Sequence, residues 1–391
     1  MKHLKVFFWT ILLSMAVLGQ VDTNSDHFYL FTYFINTEQE LGARLAVSSD
    51  GINWQLINEG KPIFTPTLSA EHLMRDPMTV FDKATKTFHI VWTSGWNQTG
   101  IGYSSSKDLK TWTPQTNLPV GEKIANCACC WAPEIFWDDI QNKYMIFWST
   151  DNGVGKRSYY VLTDDFKTFT DPVKFFDPGY TEIDACMLKV AEGNYYMFFK
   201  DERRTQDAGQ LAKNIHYVHG PTPQGPWSDV SKWITITGCE GPSATKIGDE
   251  YRVYFDPYEN FGTNDRMVSV KSLDTTASPW PYGAKLFKFG AGGTKTVFSY
   301  NHGHIIEIPR EYVMHLLYDQ PLSGVKFQWR TLRDPAPAFA GNPAAVWIDV
   351  LGRNVGASGA AFEAQSRIAP SGFLIMKSDA TKAKRQFVFV K

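Results

Sequence analysis

Hydrophobic positions along this chain come in short bursts rather than in helical stripes. Runs such as FYLFTYF, FHIVWTS, YMIFWST, YYMFFKD and YRVYFDP crowd or alternate aromatic and β-branched residues between Gly, Asn and Asp turns. That is the pattern of short, largely buried β-strands. A polar, turn-rich piece that closes on an aromatic recurs: AVSSDGINW at Trp54, YSSSKDLKTW at Trp112, YVLTDDFKTF at Phe169, YVHGPTPQGPW at Trp227 and VKSLDTTASPW at Trp280. Successive closures lie 58, 57, 58 and 53 residues apart. A second motif precedes four of the strand runs: RDPMTVFD, APEIFWDD, IDACMLKV and EGPSATKI. Its anchors, Asp76, Pro133, Asp184 and Glu240, are spaced by 57, 51 and 56 residues. Units of three or four short antiparallel strands repeated at this period predict an all-β fold, a five-bladed β-propeller over residues 21–320.

The two ends of that region complete the count. The first blade piece, from His27 to Trp54, begins at its second strand, and GHIIEIP near His304 reads as an innermost strand with no partner after it. Sharing one blade between the ends closes the ring.

Composition narrows the chemistry. The chain has 391 residues and a formal charge of −1, with no internal block of Lys or Arg, so the electrostatic footprint of a nucleic-acid or anionic-membrane binder is missing. Aromatics make up 15% of the chain, which suits a neutral ligand with apolar faces as well as a strand-rich core. Lys2 and Lys5 precede an apolar run from Val6 to Leu18, with Ala16 and Gly19 near a cleavage point; residues 1–20 read as an export signal. No other stretch approaches the ~20 apolar residues of a membrane span. The five cysteines include the group Cys127, Cys129 and Cys130, which lacks the spaced pairs of a zinc site and reads as packing or a local disulfide.

In a propeller the innermost strands line the axis, so Asp76, Asp184 and Glu240, at the starts of three such strands, converge on one pocket. Converging carboxylates supply what glycoside hydrolysis needs: an acid for the departing oxygen, a base or nucleophile opposite, and a third charge that tunes them. Taken singly, each is also ordinary turn vocabulary. Trp131 and Trp96 are candidate sugar-stacking platforms, whereas Trp54, Trp112, Trp227 and Trp280 read as scaffold. Arg266, Lys200, Asp201 and Glu202 are polar-rim candidates, Arg75 adjoins Asp76, and Glu134 is expected at the pocket rim.

The ordered series LMRDPMTVFD, FHIVWTSGW, IGYSSSKDLKTW, CWAPEIFWDD, EIDACMLKV, CEGPSATKIGDEYRVYFD and NHGHIIEIP resembles the family 43 glycoside hydrolases over about residues 27–315. The resemblance implies Asp76 as general base, Asp184 as the residue that tunes and positions the acid, and Glu240 as general acid in an inverting mechanism. Neither a phosphate-cradling glycine loop nor a cofactor fingerprint stands out, so no organic cofactor is expected; the resemblance makes His302 a substrate-side residue that can help hold a calcium ion through water. One neutral imidazole is a poor calcium ligand on chemical grounds. The implied substrates are plant or algal polysaccharides or oligosaccharides carrying arabinofuranosyl, xylosyl or galactosyl residues. A non-catalytic carbohydrate-binding propeller is the alternative.

Beyond about Leu322 the blade pattern stops. An Ala/Pro-rich stretch, taken as a linker over 321–345, leads to WIDVLGRNV, APSGFLIMKSD and RQFVFVK. Residues 346–391 are expected to form a small β-sandwich-like domain. They resemble the C-terminal sorting domain of the type IX secretion system, which implies that secretion machinery as a partner and a secreted or cell-surface protein exported through the periplasm.

Overall fold

The computed structural model describes residues 21–204, 213–258, 266–282, 300–320 and 322, together with the backbone of short strands at 288–289, 345–348, 354–357, 373–378 and 385–390. The chain divides into two units, residues 1–322 and 323–391.

The first unit opens with β1 (Tyr29–Phe34), β2 (Arg44–Ser48) and β3 (Asn53–Leu56). Four strands follow as one sheet: β4 (Arg75–Asp82), β5 (Thr87–Thr93), β6 (Ile101–Ser106) and β7 (Thr116–Leu118). The next sheet is β8 (Trp131–Asp138), β9 (Lys143–Asp151), β10 (Lys156–Thr163) and β11 (Val173–Phe176). Two three-stranded sheets come after it: β12 (Glu182–Ala191), β13 (Asn194–Asp201) and β14 (Ile215–Gly220), then β15 (Glu240–Ile247), β16 (Glu250–Asp256) and β17 (Met267–Val270). Finally β18 (Lys288–Phe289) and β19 (Asn301–Glu307) join the opening strands in the order β18-β3-β2-β1-β19. Five sheets with β4, β8, β12, β15 and β19 innermost make a five-bladed propeller, closed as expected by pairing the two ends of the domain in one blade.

The recurring turn motif has a local cause. In the first instance Ser48 Oγ accepts the amide of Gly51, and Asp50 Oδ1 accepts those of Ile52 and Asn53. Ser106 and Asp108 repeat this with the amides of Leu109, Lys110 and Thr111, as do Thr163 and Asp165 with those of Phe166, Lys167 and Thr168. Each hydroxyl and carboxylate satisfies amides that the turn leaves outside the ladder. The aromatic that ends the motif then enters the core, where Trp54 and Trp280 are almost fully buried.

Neighbouring blades are joined by separate apolar layers. Met78, Val91 and Ile101 of the β4–β7 blade meet Ile135, Ile146 and Trp148 of the next. Phe147 and Met145 meet Met187 and Met197, and Phe198 meets Val253 and Phe255. Helix α1 (Arg310–Tyr318) follows β19 and lays Tyr312 edge-on against Phe81 and Phe88, covering the seam beside the closing blade.

His89 is buried in one such seam, bonded to the Tyr103 hydroxyl at 2.8 Å and stacked on Phe166. Burial pushes its pKa down to about 4. The unfolded chain therefore takes up this proton first, and the stability that the neutral ring contributes, present above pH 6.5, is lost as pH falls through about 4. Thermal melts should show a falling midpoint over that window. His89→Gln, which keeps a neutral hydrogen-bonding group, should flatten it by up to roughly 3 kcal/mol.

In the second unit β20 (Ala345–Ile348), β21 (Asn354–Ala357), β22 (Phe373–Ser378) and β23 (Arg385–Val390) form one antiparallel sheet in the order β21-β20-β22-β23. The rest of the expected sandwich, the export signal at 1–20 and nearly all of the stretch taken as a linker lie outside the described residues. Among the described residues no helix is long and apolar enough to cross a membrane.

Candidate active site

All five inner strands carry the same irregularity. Register slips by one residue between Arg75 and Met78, Trp131 and Glu134, Ile183 and Cys186, and Glu240 and Ser243. The first residue of each of these bulges has positive φ: Asp76, Ala132, Asp184 and Gly241. In the closing blade the same one-residue slip, between Asn301 and His304 opposite Phe34 and Thr32, puts Asn301 at the pre-bulge place, His302 at the position of Asp76 and Asp184, and His304 at the level below. A bulge bends the strand and re-aims one side chain. Here it turns Asp76 and Asp184 inward and leaves Arg75 facing Phe34, Trp96, Asn36 and Gln39.

This register corrects two sequence-based alignments. Ala132, not Pro133, is the equivalent of Asp76, and Glu240 sits one residue ahead of the Asp76 and Asp184 position. Glu240 still reaches the site because its side chain is held from the neighbouring blade. The second-strand residue opposite each pre-bulge position reaches into the next blade, and this holds around the ring. Thr93 Oγ1 donates to Asp76 Oδ2 and accepts the Ala132 amide, both at 2.8 Å. Ser149 Oγ accepts the Asp184 amide at 3.2 Å. Lys200 Nζ donates to Glu240 Oε2 at 2.7 Å, and Asp256 Oδ2 accepts from Asn301 at 2.7 Å. The Phe34 ring lies under the Arg75 guanidinium at 4.9 Å.

His302 ties the carboxylates together. Its Nδ1 is 3.3 Å from Asp76 Oδ1 and 3.8 Å from Asp184 Oδ2. The same Asp184 oxygen accepts the Gly241 amide at 3.0 Å, which fixes the backbone beside Glu240. Exposure rises from 7% for Asp184 through 11% for Asp76 to 20% for Glu240, so Glu240 is the most accessible of the three. Burial alone would push the His302 pKa down, but Asp184 and Asp76 hold it at about 9. Burial pushes up the Asp76 carboxyl too; the bond and charge of His302, then Arg75 and Thr93, outweigh it and keep Asp76 below the ordinary carboxylate range. Asp184 rises to about 6 through burial, eased by His302 and reinforced by Glu240.

Other candidates fall elsewhere. Trp131 donates its ring N–H to the Trp96 carbonyl at 2.9 Å, meets the Trp96 ring edge-on, and has Lys156 over its face at 4.3 Å. Trp96 is 38% exposed, and the two indoles make an aromatic wall beside Arg75. Arg266 bonds Asp256 at 3.5 Å and the Tyr300 carbonyl at 2.9 Å and covers the Tyr300 ring, with no contact to Asp76, Asp184 or Glu240 among the described residues. Asp201 is held by Arg203, and Glu202 by Lys200.

Glu134 is buried rather than at the rim, one level below the carboxylate ring, and burial raises its pKa to about 8. Sequence reasoning also missed Glu182, buried against Ser158 and raised to about 8 for the same cause, and Asp256, raised by burial to about 6. Their one signal was position: Asp256 ends a second strand, and Glu182 lies two residues before Asp184.

At His302 the Nδ1 faces carboxylate oxygens of Asp76 and Asp184, and those oxygens, rather than the imidazole nitrogen, are the atoms that a calcium ion would favour there.

Fold and site together define a five-bladed β-propeller whose inner strands draw three carboxylates and a histidine around its axis. A family described as a probable glycosyl hydrolase domain, related to glycoside hydrolase family 43, matches residues 26–312, and the chain belongs to it. An α-L-arabinofuranosidase of Bifidobacterium longum subsp. longum is 32% identical over 135 residues, covering 28% of this chain and 13% of that protein. The match thus spans about an eighth of the curated relative. Among solved structures, an exo-β-1,3-galactanase from Clostridium thermocellum is 16% identical with a TM-score of 0.47, covering 63% of this chain and 56% of that one. A putative exo-β-1,3-galactanase from Bifidobacterium bifidum is 14% identical with a TM-score of 0.47, covering 69% and 92%.

Proposed function

We propose that this chain is an inverting glycoside hydrolase that removes terminal or side-chain arabinofuranosyl, xylosyl or galactosyl residues from plant or algal polysaccharides or oligosaccharides. The carrying observation is the His302 bridge, which gathers Asp76 and Asp184 while Asp184 also holds the backbone next to Glu240. Glu240, the most open of the three, protonates the leaving oxygen. Asp76, kept ionised by His302, takes a proton from the attacking water. Asp184 positions the strand that carries Glu240. Inversion requires about 6.5–9.5 Å between acid and base to seat that water. Lys200 holds Glu240 through Oε2, so delivery of a proton needs that contact to loosen as the substrate enters. The Trp96–Trp131 wall supplies an apolar face for a sugar ring.

The arabinofuranosidase relative makes arabinofuranosides the first substrates to try. A panel of aryl α-L-arabinofuranosides, β-D-xylosides and β-D-galactosides, with the anomer of the first product followed by NMR, tests the reading. Turnover with inversion is expected. Retention overturns the mechanism, and sugar binding without turnover favours the non-catalytic carbohydrate-binding propeller. The tail motifs and the apolar run at 6–18 extend the proposal to an exported enzyme handled by type IX secretion machinery.

Gly241 links backbone geometry to this activity. Its φ is +60°, and an added Cβ would stand 2.5 Å from the His302 ring. Gly241→Ala should leave a folded protein with roughly 1–3 kcal/mol of strain and about 100-fold lower kcat/KM, measured by denaturant melts and initial rates.

A further inference from the structure

One level below the carboxylate ring, the inner strands present Met78, Glu134, Cys186, Ser243 and His304, placed by their pairing with Val91, Phe147, Phe198, Tyr254 and Thr32. Three of these offer metal-ligating atoms: a Glu134 carboxylate oxygen, the Cys186 sulfur and a His304 ring nitrogen all lie within 4.8 Å of one another. All three residues are buried, and they come from three different blades. Their orientation is set from outside the cluster: Glu134 Oε2 accepts the Met187 amide and Cys186 Sγ accepts the Ala244 amide, each at 3.3 Å. Glu134 Oε1 faces His304 Nε2 at 3.8 Å.

A second observation is an axial cavity of about 340 Å³ that Glu134 and His304 both line, walled by Met78, Val80, Phe136 and Ile306. Its lining comes from the inner strands of four blades, and it gives the cluster an entry path and room for water. Nothing in the proposed hydrolysis uses these groups.

We propose that Glu134, Cys186 and His304 bind one divalent transition cation of the zinc class, with water from the axial cavity in the fourth position. Mixed carboxylate, thiolate and imidazole ligands suit zinc and disfavour calcium or magnesium, which select oxygen. The thiol and carboxyl each release a proton on binding, so one carboxylate and one thiolate balance the 2+ ion and the buried site becomes neutral. Tetrahedral bonds of about 2.0–2.3 Å place ligand atoms roughly 3.3–3.8 Å apart, so the side chains close by about 1 Å. His302, one level above, opposes a second cation, and its two carboxylate partners offset that charge. The bound ion pins three blades at the axis.

The test is independent of the hydrolase reading because it reads metal rather than activity. The full chain is stripped with chelator, loaded with Zn²⁺ or Ca²⁺, desalted and assayed by elemental mass spectrometry. About one zinc and no calcium per chain are expected to remain, with a raised melting temperature. Cys186→Ser and Glu134→Gln should weaken zinc more than about 100-fold, beyond what an outer partner of a ligand contributes. Cys127→Ser should leave zinc in place. Loss in Cys127→Ser with retention in Cys186→Ser would move the ion to the cysteines before β8 and overturn the proposal, as would a folded wild type that holds no zinc. Should Cys186→Ser not fold, wild type loaded with Co²⁺ decides: a thiolate-to-cobalt absorption band is expected, and its absence overturns the site.

Discussion

If Glu240 is the proposed acid, Glu240→Gln is expected to lower kcat/KM roughly 10³-fold on substrates with a poor leaving group, and much less on aryl glycosides whose phenolate departs unaided. The amide is nearly isosteric and can still bond Lys200 through its carbonyl oxygen, so the fold and the 2.7 Å contact have a replacement. What the proposal has the variant lose is the transferable proton. A sugar alkoxide needs that proton in the transition state, whereas a stabilised phenolate does not. The measurement is a series of aryl glycosides of graded leaving-group acidity, assayed for wild type and variant. A loss of the same size across the series would show that Glu240 only shapes the pocket, and the acid would have to be sought elsewhere.

As the proposed base, Asp76 predicts the opposite signature for Asp76→Asn. Activation of water is required whatever the leaving group, so the variant should lose roughly 10³-fold or more across the whole series. Thr93 can still donate to the side-chain carbonyl, but His302 loses one of the two charges that keep it protonated. The consequence reaches Asp184, which then faces His302 with less competition. Circular dichroism and melting temperature should remain close to wild type, and sugar binding by calorimetry should persist. A leaving-group-dependent loss would exchange the roles of Asp76 and Glu240. Read together, the two variants separate acid from base without a ligand-bound structure.

Much of this architecture was legible because the chain repeats its own turns. The Ser48–Asp50, Ser106–Asp108 and Thr163–Asp165 pairs each satisfy successive amides, so the motif that announces a blade end also builds it. Asp76 and Asp184 were legible for a similar reason: both stand at the bulge, and their spacing carries the repeat. Glu240 was found by the same spacing, one residue off register, since Gly241 occupies the matching place. Loops of unequal length between blades blur the count by a residue, and this is why Pro133 was taken for Ala132. Glu134 was misplaced because its meaning lies in depth, two residues past the bulge and facing inward. Lys200 and Asp256 matter through bonds to the following blade, and no local pattern encodes a contact made across a seam.

The closing blade also dictates when this domain can become whole. Tyr29 pairs with Glu307, and Thr32 with His304, so the first strand of the propeller must wait for its last inner strand. Sequence-distant pairing of this kind is slow, because the loop it closes must be ordered before the contacts reward it. The intervening blades can pack on one another during that wait, yet the ring remains open and β1 keeps an unpaired edge. His302 arrives on that same final strand. The bridge between Asp76 and Asp184 therefore forms only when the circle shuts, so closure of the ring, rather than the folding of any one blade, sets the moment at which the site is assembled.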